Sequence, residues 1–365
     1  MTSMYVSYSD LTNLCTRLLL ALDVPVTHAE LVSNSLVTAN LRGVDSHGVQ
    51  MMLPYIEQLE AGSMDPLTTG SIQSESGGCV ICDGQNGIGQ VIADRCTKKA
   101  LGIVQNCGLA LVIARNSNHF GAAAYWGRQL SDAGQIGIVM TNASAVVPPW
   151  QGKAARIGTN PICVAVPGET SETWLLDMAT TTVSLGKIYD AFYRGETSIP
   201  SGWALDRDGK GTTDTETALS GFPMPLGGYK GSGLGLMVEI LTAALGGSPM
   251  STDVGSLRVK ERPLSVSHAF LAIDPERFIG LEKFKLAVSR LTSMIKSTPP
   301  ASGYEEVLIA GEPEWRMEKR RLREGIPIPS KLLEEFQNAA DRLSVAPLAA
   351  NAQFDFPLAT TKEPK

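Results

Sequence analysis

Apolar residues recur at three- and four-residue spacing near the start of the chain, which is typical of helices with one buried face. The recurring residues are Leu11, Leu14, Leu18 and Leu22. The spacing predicts helical structure over residues 7–42, broken near Pro25 because proline lacks the backbone donor that continues a helix. Ser9 and Thr27 are the predicted N-caps, since their hydroxyls can accept from an amide of the first turn.

From Gly77 the pattern changes to short β-rich runs separated by glycine-containing turns. The predicted strands cover residues 79–82, 109–114, 136–141, 162–166 and 174–178. Residues 90–107, between the first two strands, are predicted to form a helix. This alternation predicts an α/β domain.

Two more helices are expected towards the end of the chain. The apolar run from Gly233 to Leu245 has the length of a buried helix, and residues 331–343 have the spacing of an amphipathic one. The predicted division is an α/β domain over 77–295, a helical domain formed by 1–76 together with 296–345, and a flexible tail over 346–365.

The chain has 365 residues and a formal net charge of -6. This balance argues against nucleic acid as a partner, because phosphate binding needs a concentrated basic surface. The basic run over residues 316–323 alternates with glutamates, so we expect it to be a solvated helix face. No run reaches the roughly 18 apolar residues of a membrane span and no secretion signal is present, so we expect a cytoplasmic protein without a membrane partner.

Six cysteines are scattered without the spacing of a disulfide framework, which predicts reduced thiols. Cys79 and Cys82 have the C-x-x-C spacing of redox motifs. They lie in an apolar run, without the helix N-terminus that would lower the pKa of a thiol, so no redox role is expected.

Two of the four histidines lie where function concentrates, on glycine-flanked loops beside regular elements. His47 lies in Gly-Val-Asp-Ser-His-Gly (43–48), and His119 in Asn-Ser-Asn-His-Phe-Gly (116–121). Histidine is the readiest general acid or base near neutral pH. His28 is expected to be an exposed residue at a helix start, and His268 a hydrogen-bonded core residue.

These candidates have other interpretations. Each histidine could simply satisfy a turn by hydrogen bonding. Asp45, His47 and His119 could also form a metal site, and the chain would then be a metal-dependent hydrolase or lyase. No H-E-x-x-H motif or close histidine pair is present, so no metal is expected.

The nucleotide motifs are unusual. Neither G-x-G-x-x-G after a strand nor a P-loop occurs. A glycine-rich stretch over residues 225–235 contains Lys230 and leads into an apolar helix, where amides and the lysine could hold a pyrophosphate. Tight helix packing through small residues explains the same stretch equally well. Residues 177–187 could line a cofactor with hydroxyls and backbone, or cap a helix.

Seven motifs occur in order along the chain: GVDSHG (43–48), NSNHFGAA (116–123), GTNPI (158–162), LDMATT (176–181), SLGK (184–187), PLGGYKG (225–231) and GEPE (311–314). Together they resemble the motifs of the malate/L-lactate dehydrogenase family, the non-Rossmann type that includes ureidoglycolate dehydrogenase, 2,3-diketo-L-gulonate reductase, sulfolactate dehydrogenase and piperideine-2-carboxylate reductase. The resemblance implies a family-specific α/β fold with a mixed sheet, a helical domain made of both terminal segments, and a homodimer.

The resemblance also implies an NAD- or NADP-dependent dehydrogenase or reductase acting on a small 2-hydroxy, 2-oxo or 2-imino acid. Its active-site histidines match His47 and His119, with Asp45 and Ser46 as further catalytic candidates. Matching cofactor positions are His119, Thr159, Asn160, Asp177, Met178, Ala179, Thr180, Thr181, Thr182, Val183, Gly227, Gly228, Tyr229, Lys230, Gly311, Glu312 and Pro313. Reduction needs hydride at carbon and a proton on the heteroatom, and an imidazolium can supply the proton.

One position departs from the family pattern. Members commonly carry arginine four residues after the first histidine, where it grips the substrate carboxylate, and this chain has Met51 there. A thioether cannot make that bidentate contact. The expected substrate-binding residues are therefore Met51 and Thr159, and either another residue such as Arg156 or Lys153 takes over the carboxylate or the substrate presents a less acidic group at that end. Loss of the arginine leaves open a third hypothesis, a non-catalytic homologue that only binds a dinucleotide.

Overall fold

The computed structural model describes residues 3–348 except Ser171 and Arg258. The described chain forms two compact units, one of residues 3–56 with 314–348 and the other of Glu57–Pro313. The sequence-based boundaries lie elsewhere, at 76/77 and 295/296. Residues 71–76 form a strand of the second unit, and Ala310 accepts a hydrogen bond there from the amide of Leu175 at 3.1 Å. Of the predicted tail, residues 349–365 lie outside the described residues.

The described elements are given in chain order. The strands are β1 (Ser3–Val6), β2 (Ser71–Ser76), β3 (Cys79–Asp83), β4 (Leu109–Ser117), β5 (Ile136–Thr141), β6 (Ile162–Ala165), β7 (Leu175–Met178), β8 (Ala204–Leu205), β9 (Gly211–Thr212), β10 (Phe222–Pro223), β11 (Val266–Ile273) and β12 (Ile326–Pro329). The α-helices are α1 (Tyr8–Leu20), α2 (Val26–Leu41), α3 (Met52–Glu60), α4 (Gly89–Cys107), α5 (Ala123–Asp132), α6 (Leu185–Tyr193), α7 (Thr215–Ser220), α8 (Tyr229–Glu239), α9 (Leu281–Lys296), α10 (Glu312–Glu324) and α11 (Ser330–Arg342).

A seven-stranded sheet in the order β2-β3-β4-β11-β5-β6-β7 organises the second unit. Only β3 and β4 pair in parallel, and every other neighbouring pair is antiparallel. A Rossmann domain has a mostly parallel sheet, so this mixed sheet accounts for the missing fingerprint. The predicted non-Rossmann α/β fold is confirmed.

The centre of the sheet is β11, which pairs with β4 on one side and with β5 on the other. Its residues are buried on both faces because helices cover the sheet from both sides. Val238 of α8 packs on the face that bears Ile113 and Ala269. Side chains alternate along a strand, so His268 points to the opposite face.

Helix α4 shows why the local predictions succeeded in this unit. Ile92, Cys96, Ala100 and Val104 recur every four residues and are all fully buried. The helix ends where Gly108 adopts φ 75°, a conformation that suits glycine.

The C-x-x-C residues do not meet. Cys79 is exposed and Cys82 is buried, since residues three apart on a strand point to opposite faces. Cys82 instead interacts with Cys96 of α4, and this hydrogen bond lowers the pKa of the Cys82 thiol.

The first unit contains the predicted amphipathic helices, with different caps. Ser7 caps α1, its side chain accepting from the amide of Asp10 at 3.0 Å, and Pro25 precedes α2 without a side-chain cap. Ser9 and Thr27 were therefore wrong as N-caps, because each helix starts earlier than its periodicity suggests. Antiparallel pairing of β1 with β12 joins the two segments of this unit.

The apolar run that begins at Gly233 is helical but not buried. It forms the end of α8 and a π-helical turn over Ile240–Ala244. Only one face packs on the sheet, and Leu236, Ile240 and Leu245 are 52%, 52% and 54% exposed.

In the described part of the chain, no helix combines the length and the apolarity needed to cross a lipid bilayer.

Candidate active site

The loop that carries His47 follows α2 directly in the first unit. Asn40, near the end of α2, is buried and holds this loop at two points. Its Nδ2 donates to Oδ1 of Asp45 at 2.6 Å, and its Oδ1 accepts from the amide of Val49 at 2.7 Å. Gly48 leaves room for Asn40, because a Cβ there would lie 2.1 Å from Oδ1.

An ion pair fixes the other side of the same loop. Nη1 and Nη2 of Arg321 lie 2.7 and 3.0 Å from the two carboxylate oxygens of Asp45, and the guanidinium also donates to the carbonyl of Asn40. The Arg321 side chain is 11% exposed, so the prediction of a solvated face is wrong for this residue. The other basic residues of the run are exposed, as expected: Arg316, Lys319, Arg320 and Arg323. Asp45 therefore positions its loop.

His47 itself is half-buried. Its Nδ1 lies 3.0 Å from Oγ of Ser46, so donation by the hydroxyl would leave the ring proton on Nε2. Burial lowers the pKa of His47 below its ordinary value, which favours the neutral imidazole at neutral pH. Such a ring can accept a proton. Met51 is also half-buried and ends the 3-10 turn that follows Gly48.

The second unit places His119 between the end of β4 and the start of α5, where it is half-buried. The amide of Gly121 approaches Nδ1 of His119 at 3.4 Å. An N–H group can donate to Nδ1 only if Nδ1 carries a lone pair and no proton. This contact therefore favours the tautomer of His119 with its proton on Nε2.

Neighbouring elements fix the His119 loop tightly. Nδ2 of Asn118 donates to the carbonyls of Asn86 and Gly87 at 3.0 and 2.9 Å. Nε1 of Trp126 donates to the carbonyl of Phe120 at 2.9 Å. A Cβ at Gly89 would lie only 2.2 Å from the carbonyl oxygen of Asn118, so glycine is required where α4 begins.

Three of the predicted cofactor segments converge in this unit. The carbonyl of Thr159 accepts from the amide and the hydroxyl of Thr180 at 2.9 and 3.0 Å. The carbonyl of Thr180 accepts in turn from the amide of Leu226 at 3.0 Å. Gly231 packs against both, since a Cβ there would lie 2.3 Å from the amide nitrogen of Leu226 and 2.5 Å from the carbonyl oxygen of Thr180.

The start of α8 is the most open part of this cluster. Gly227 and Gly228 have φ values of 56° and 67°, and α8 begins after them without a side-chain cap. Tyr229 and Lys230 are exposed. Sequence reasoning missed Trp150, which is 51% exposed and whose ring would lie 2.8 Å from a Cβ on Gly228.

Three other predicted residues make hydrogen bonds with backbone groups of the protein. Asn160 is fully buried, and its side chain accepts from the amide of Ala143 and donates to the carbonyl of Gly235. Asp177 is exposed and accepts at 2.8 Å from the amide of Ala124 at the start of α5. Arg156 is exposed, with Nη1 donating to the carbonyl of Ala155.

The remaining predicted cofactor residues end or follow β7, or lie beside its first residue, Leu175. Met178, Ala179 and Val183 are half-buried, and the hydroxyl of Thr181 donates to the carbonyl of Val183 at 2.9 Å. The amide of Thr182 donates to the carbonyl of Met224 at 2.9 Å. Gly311, with Glu312 and Pro313 after it, lies beside Leu175, whose carbonyl oxygen would be 3.1 Å from a Cβ at the glycine.

Among the described residues, no group of three or more His, Cys, Asp and Glu side chains could hold a metal ion. The alternative based on Asp45, His47 and His119 as metal ligands therefore gains no support.

Comparison with known proteins gives a consistent result. The profile of the malate/L-lactate dehydrogenase family matches residues 6–337. Malate dehydrogenase of Pyrococcus horikoshii is 40% identical over 337 residues, which are 90% of this chain and 92% of that protein. The solved structure of sulfolactate dehydrogenase from Methanocaldococcus jannaschii has a TM-score of 0.89 at 36% identity, covering 94% of this chain and 98% of that one.

Two further relatives name their cofactors. Ureidoglycolate dehydrogenase (NAD(+)) of Escherichia coli strain K12 is 33% identical over 82% of this chain and 86% of its own length. (2R)-3-Sulfolactate dehydrogenase (NADP(+)) of Chromohalobacter salexigens is 34% identical over 76% of this chain and 83% of its own. With a family profile that spans nearly the whole chain and relatives that share its fold, the chain belongs to the malate/L-lactate dehydrogenase family.

Proposed function

We propose that the protein is an NAD(P)-dependent oxidoreductase that transfers hydride between the nicotinamide and a small 2-hydroxy/2-oxo or 2-imino acid. The family match over residues 6–337, with relatives that are dehydrogenases of hydroxy acids, carries this proposal. The metal-dependent alternative has no comparable support.

The convergent segments of the second unit fit a dinucleotide. The uncapped start of α8 offers backbone amides and the positive end of a helix dipole, and Lys230 adds a cation for a pyrophosphate. Hydrogen bonds between Thr159 and Thr180 hold the two neighbouring segments together. When bound, the nicotinamide supplies or accepts the hydride. Asn160 and Asp177 are proposed to act by holding these segments and α5, since their side chains have the structural partners described above.

The protein supplies the proton. We assign this role to His47 or His119, each on a loop that fixed partners hold in place. His47 is neutral at neutral pH because burial lowers its pKa, so it is suited to accept the hydroxyl proton of a 2-hydroxy acid. In reduction the same group must first be protonated, so the reductive rate should increase as the pH falls.

Recognition of the substrate carboxylate differs from that of relatives with an arginine at position 51. Met51 cannot make a charged contact. The exposed cations Arg156 and Lys153 lie close in sequence to Thr159 in the second unit, and we propose that one of them binds the carboxylate.

Binding and turnover measured together test this function. NADH and NADPH are titrated separately against the protein with fluorescence as the readout, and a panel of 2-oxo acids is then assayed with the tighter cofactor. The expected result is tight binding of at least one cofactor and turnover of at least one acid. Binding without turnover would favour the non-catalytic homologue, and absence of binding would overturn the proposal.

We further propose that the protein is a cytoplasmic homodimer. The six cysteines are free, which suits a reducing compartment. A helix that is apolar all round is normally buried, yet α8 and the π-helical turn expose Leu236 and Ile240. A second copy of the chain would cover this face.

A further inference from the structure

His268 lies in the middle of β11 and is completely buried, yet both of its ring nitrogens have polar neighbours. Nδ1 lies 2.8 Å from Oγ1 of Thr141. Nε2 lies 2.9 Å from Oγ of Ser117 and 3.2 Å from the carbonyl oxygen of Asn118. In either neutral tautomer both nitrogens can be satisfied, because each hydroxyl can donate or accept.

The neighbours of His268 on one side are the residues that flank His119. Ser117 and Asn118 precede His119 in the chain, and Phe120 follows it. The ring of Phe120 stacks on the imidazole of His268 with centroids 4.4 Å apart and planes 8° apart. One buried side chain therefore contacts the loop both before and after His119.

On its other side, His268 contacts a hydrogen-bond network that extends to Asn160 in a second predicted cofactor segment. The hydroxyl of Thr141 also lies 2.9 Å from the carbonyl oxygen of Asn142, to which it donates when Nδ1 of His268 carries the ring proton. Nδ2 of Asn142 donates to Oε2 of Glu239 at 3.2 Å, and Oε1 of Glu239 accepts from Nδ2 of Asn160 at the same distance. Buried hydrogen-bond networks of this kind are rigid when every member is satisfied.

We propose that His268 is a positioning residue that sets the direction of the His119 imidazole and holds its loop in register with the Thr159–Asn160 segment. The proposal rests on the proposed function, in which His119 acts on the substrate. His268 is neutral because burial lowers its pKa to about 3, and having no exposed surface it has no contact with substrate.

Two substitutions of His268 each keep the contacts of one ring nitrogen and remove those of the other. The amide of glutamine reaches the position of Nε2 and can keep the contacts with Ser117 and Asn118. The shorter asparagine reaches the position of Nδ1 and can keep only the contact with Thr141. We expect His268→Asn to lower kcat by about ten-fold or more, since small misplacements of a reacting group are costly. His268→Gln should lose clearly less.

A second readout does not depend on activity. The chain has four histidines, so the ring signals of His119 can be identified by NMR from their loss in His119→Ala. These signals should shift in His268→Asn and stay near wild type in His268→Gln. Equal kcat losses in the two variants, or losses that follow their melting temperatures, together with an unshifted His119 signal would overturn the proposal.

If either variant fails to fold, Ser117→Ala and Thr141→Val make the same comparison. The loop-side change, Ser117→Ala, should shift the His119 signal more than the sheet-side change, Thr141→Val, and the reverse order would overturn the proposal. If the wild-type protein turns over no acid, the proposed function fails, whereas the NMR comparison still decides whether His268 positions His119.

Discussion

His47 and His119 each follow the end of a regular element, and each is held by side chains outside its own motif. Asn40 and Arg321 fix the loop of His47, and His268 and Trp126 fix the loop of His119. The motifs showed where chemistry was to be expected, because loop histidines beside glycines are visible in the sequence. The partners Arg321 and His268 were not predictable, because they come from positions far along the chain.

Replacing either loop histidine should reduce turnover without unfolding the protein. We expect His47→Ala and His119→Ala to lower kcat by about 100-fold or more, as loss of a positioned proton-transfer group usually does. His28→Ala is the matched control, since His28 lies at the start of α2 outside both loops. Steady-state kinetics with circular dichroism makes the comparison, and near-normal turnover in both loop variants would contradict these roles.

Burial of His268 should make the protein sensitive to acid. Its folded-state pKa of about 3 lies below the ordinary value of about 6.5, so between these pH values the unfolded chain binds a proton that the folded chain does not. The free energy of unfolding therefore decreases as the pH falls from about 6.5, by about 2 kcal/mol at pH 5.

Denaturant unfolding at several pH values measures this effect, with His268→Gln as the reference because glutamine does not titrate. The wild type should lose more stability on acidification than the variant. Parallel pH dependences would show that His268 is not held neutral by the fold.

At the scale of elements, α8 combines tight packing with an open N-terminus. Gly231 packs on the backbone of Leu226 and Thr180, whereas Gly227 and Gly228 form the turn before the helix. The sequence could not separate the packing and phosphate interpretations of this stretch, and in the structure Gly231 is closely packed whereas Gly227 and Gly228 lie at the open start of the helix. The short strands and α4 were predictable because their periodicity is local. The pairing of β11 with β4 and β5 was not, since it joins distant segments.

Two glycines of α8 make a matched test of this packing. A Cβ at Gly231 would overlap backbone atoms, so Gly231→Ala should destabilise the protein by about 1–3 kcal/mol. Gly233 has nothing within 4 Å of its Cβ position, so Gly233→Ala should be neutral or stabilising by up to about 1 kcal/mol. Thermal unfolding compares them, and equal effects would mean that the close approach at Gly231 is absent in solution.

Lys230 should contribute to cofactor binding rather than to stability. Removing an exposed cation from the start of α8 should weaken dinucleotide binding by about ten-fold, as loss of a charge-assisted contact does. Lys283→Ala, at an exposed position of α9, is the control and should bind normally. If Lys230→Ala matches the control in fluorescence titration, the glycine-rich stretch has only a packing role.

On the scale of the whole molecule, the chain is a family member whose first unit is built from two segments, residues 3–56 and 314–348, and whose second unit is the continuous segment Glu57–Pro313. The family and its fold were identifiable because seven motifs occur in order. The domain boundaries stay a prediction. The apolar run from Gly233 was wrongly expected to be buried, because apolar composition over the length of a helix does not show which of its faces have packing partners.

The proposed dimer can be tested on that face. Leu236→Glu places a charge on the exposed side of α8 and should convert dimers into monomers in sedimentation experiments. Leu67→Glu introduces the same charge at a residue that is 64% exposed on a loop, and it should leave the dimer intact. A wild-type monomer, or a dimer in both variants, would exclude this face as the interface.

Transfer of isotope from the cofactor tests the central claim most directly. The tighter-binding reduced cofactor is prepared with deuterium at C4 of the nicotinamide, in each of its two stereochemical forms, and incubated with the protein and the most active 2-oxo acid of the panel. Mass spectrometry and NMR of the product should show deuterium bonded to C2 with one form of the cofactor and hydrogen with the other. Product without deuterium from either form, or no product from any acid despite tight cofactor binding, would contradict direct hydride transfer by this protein.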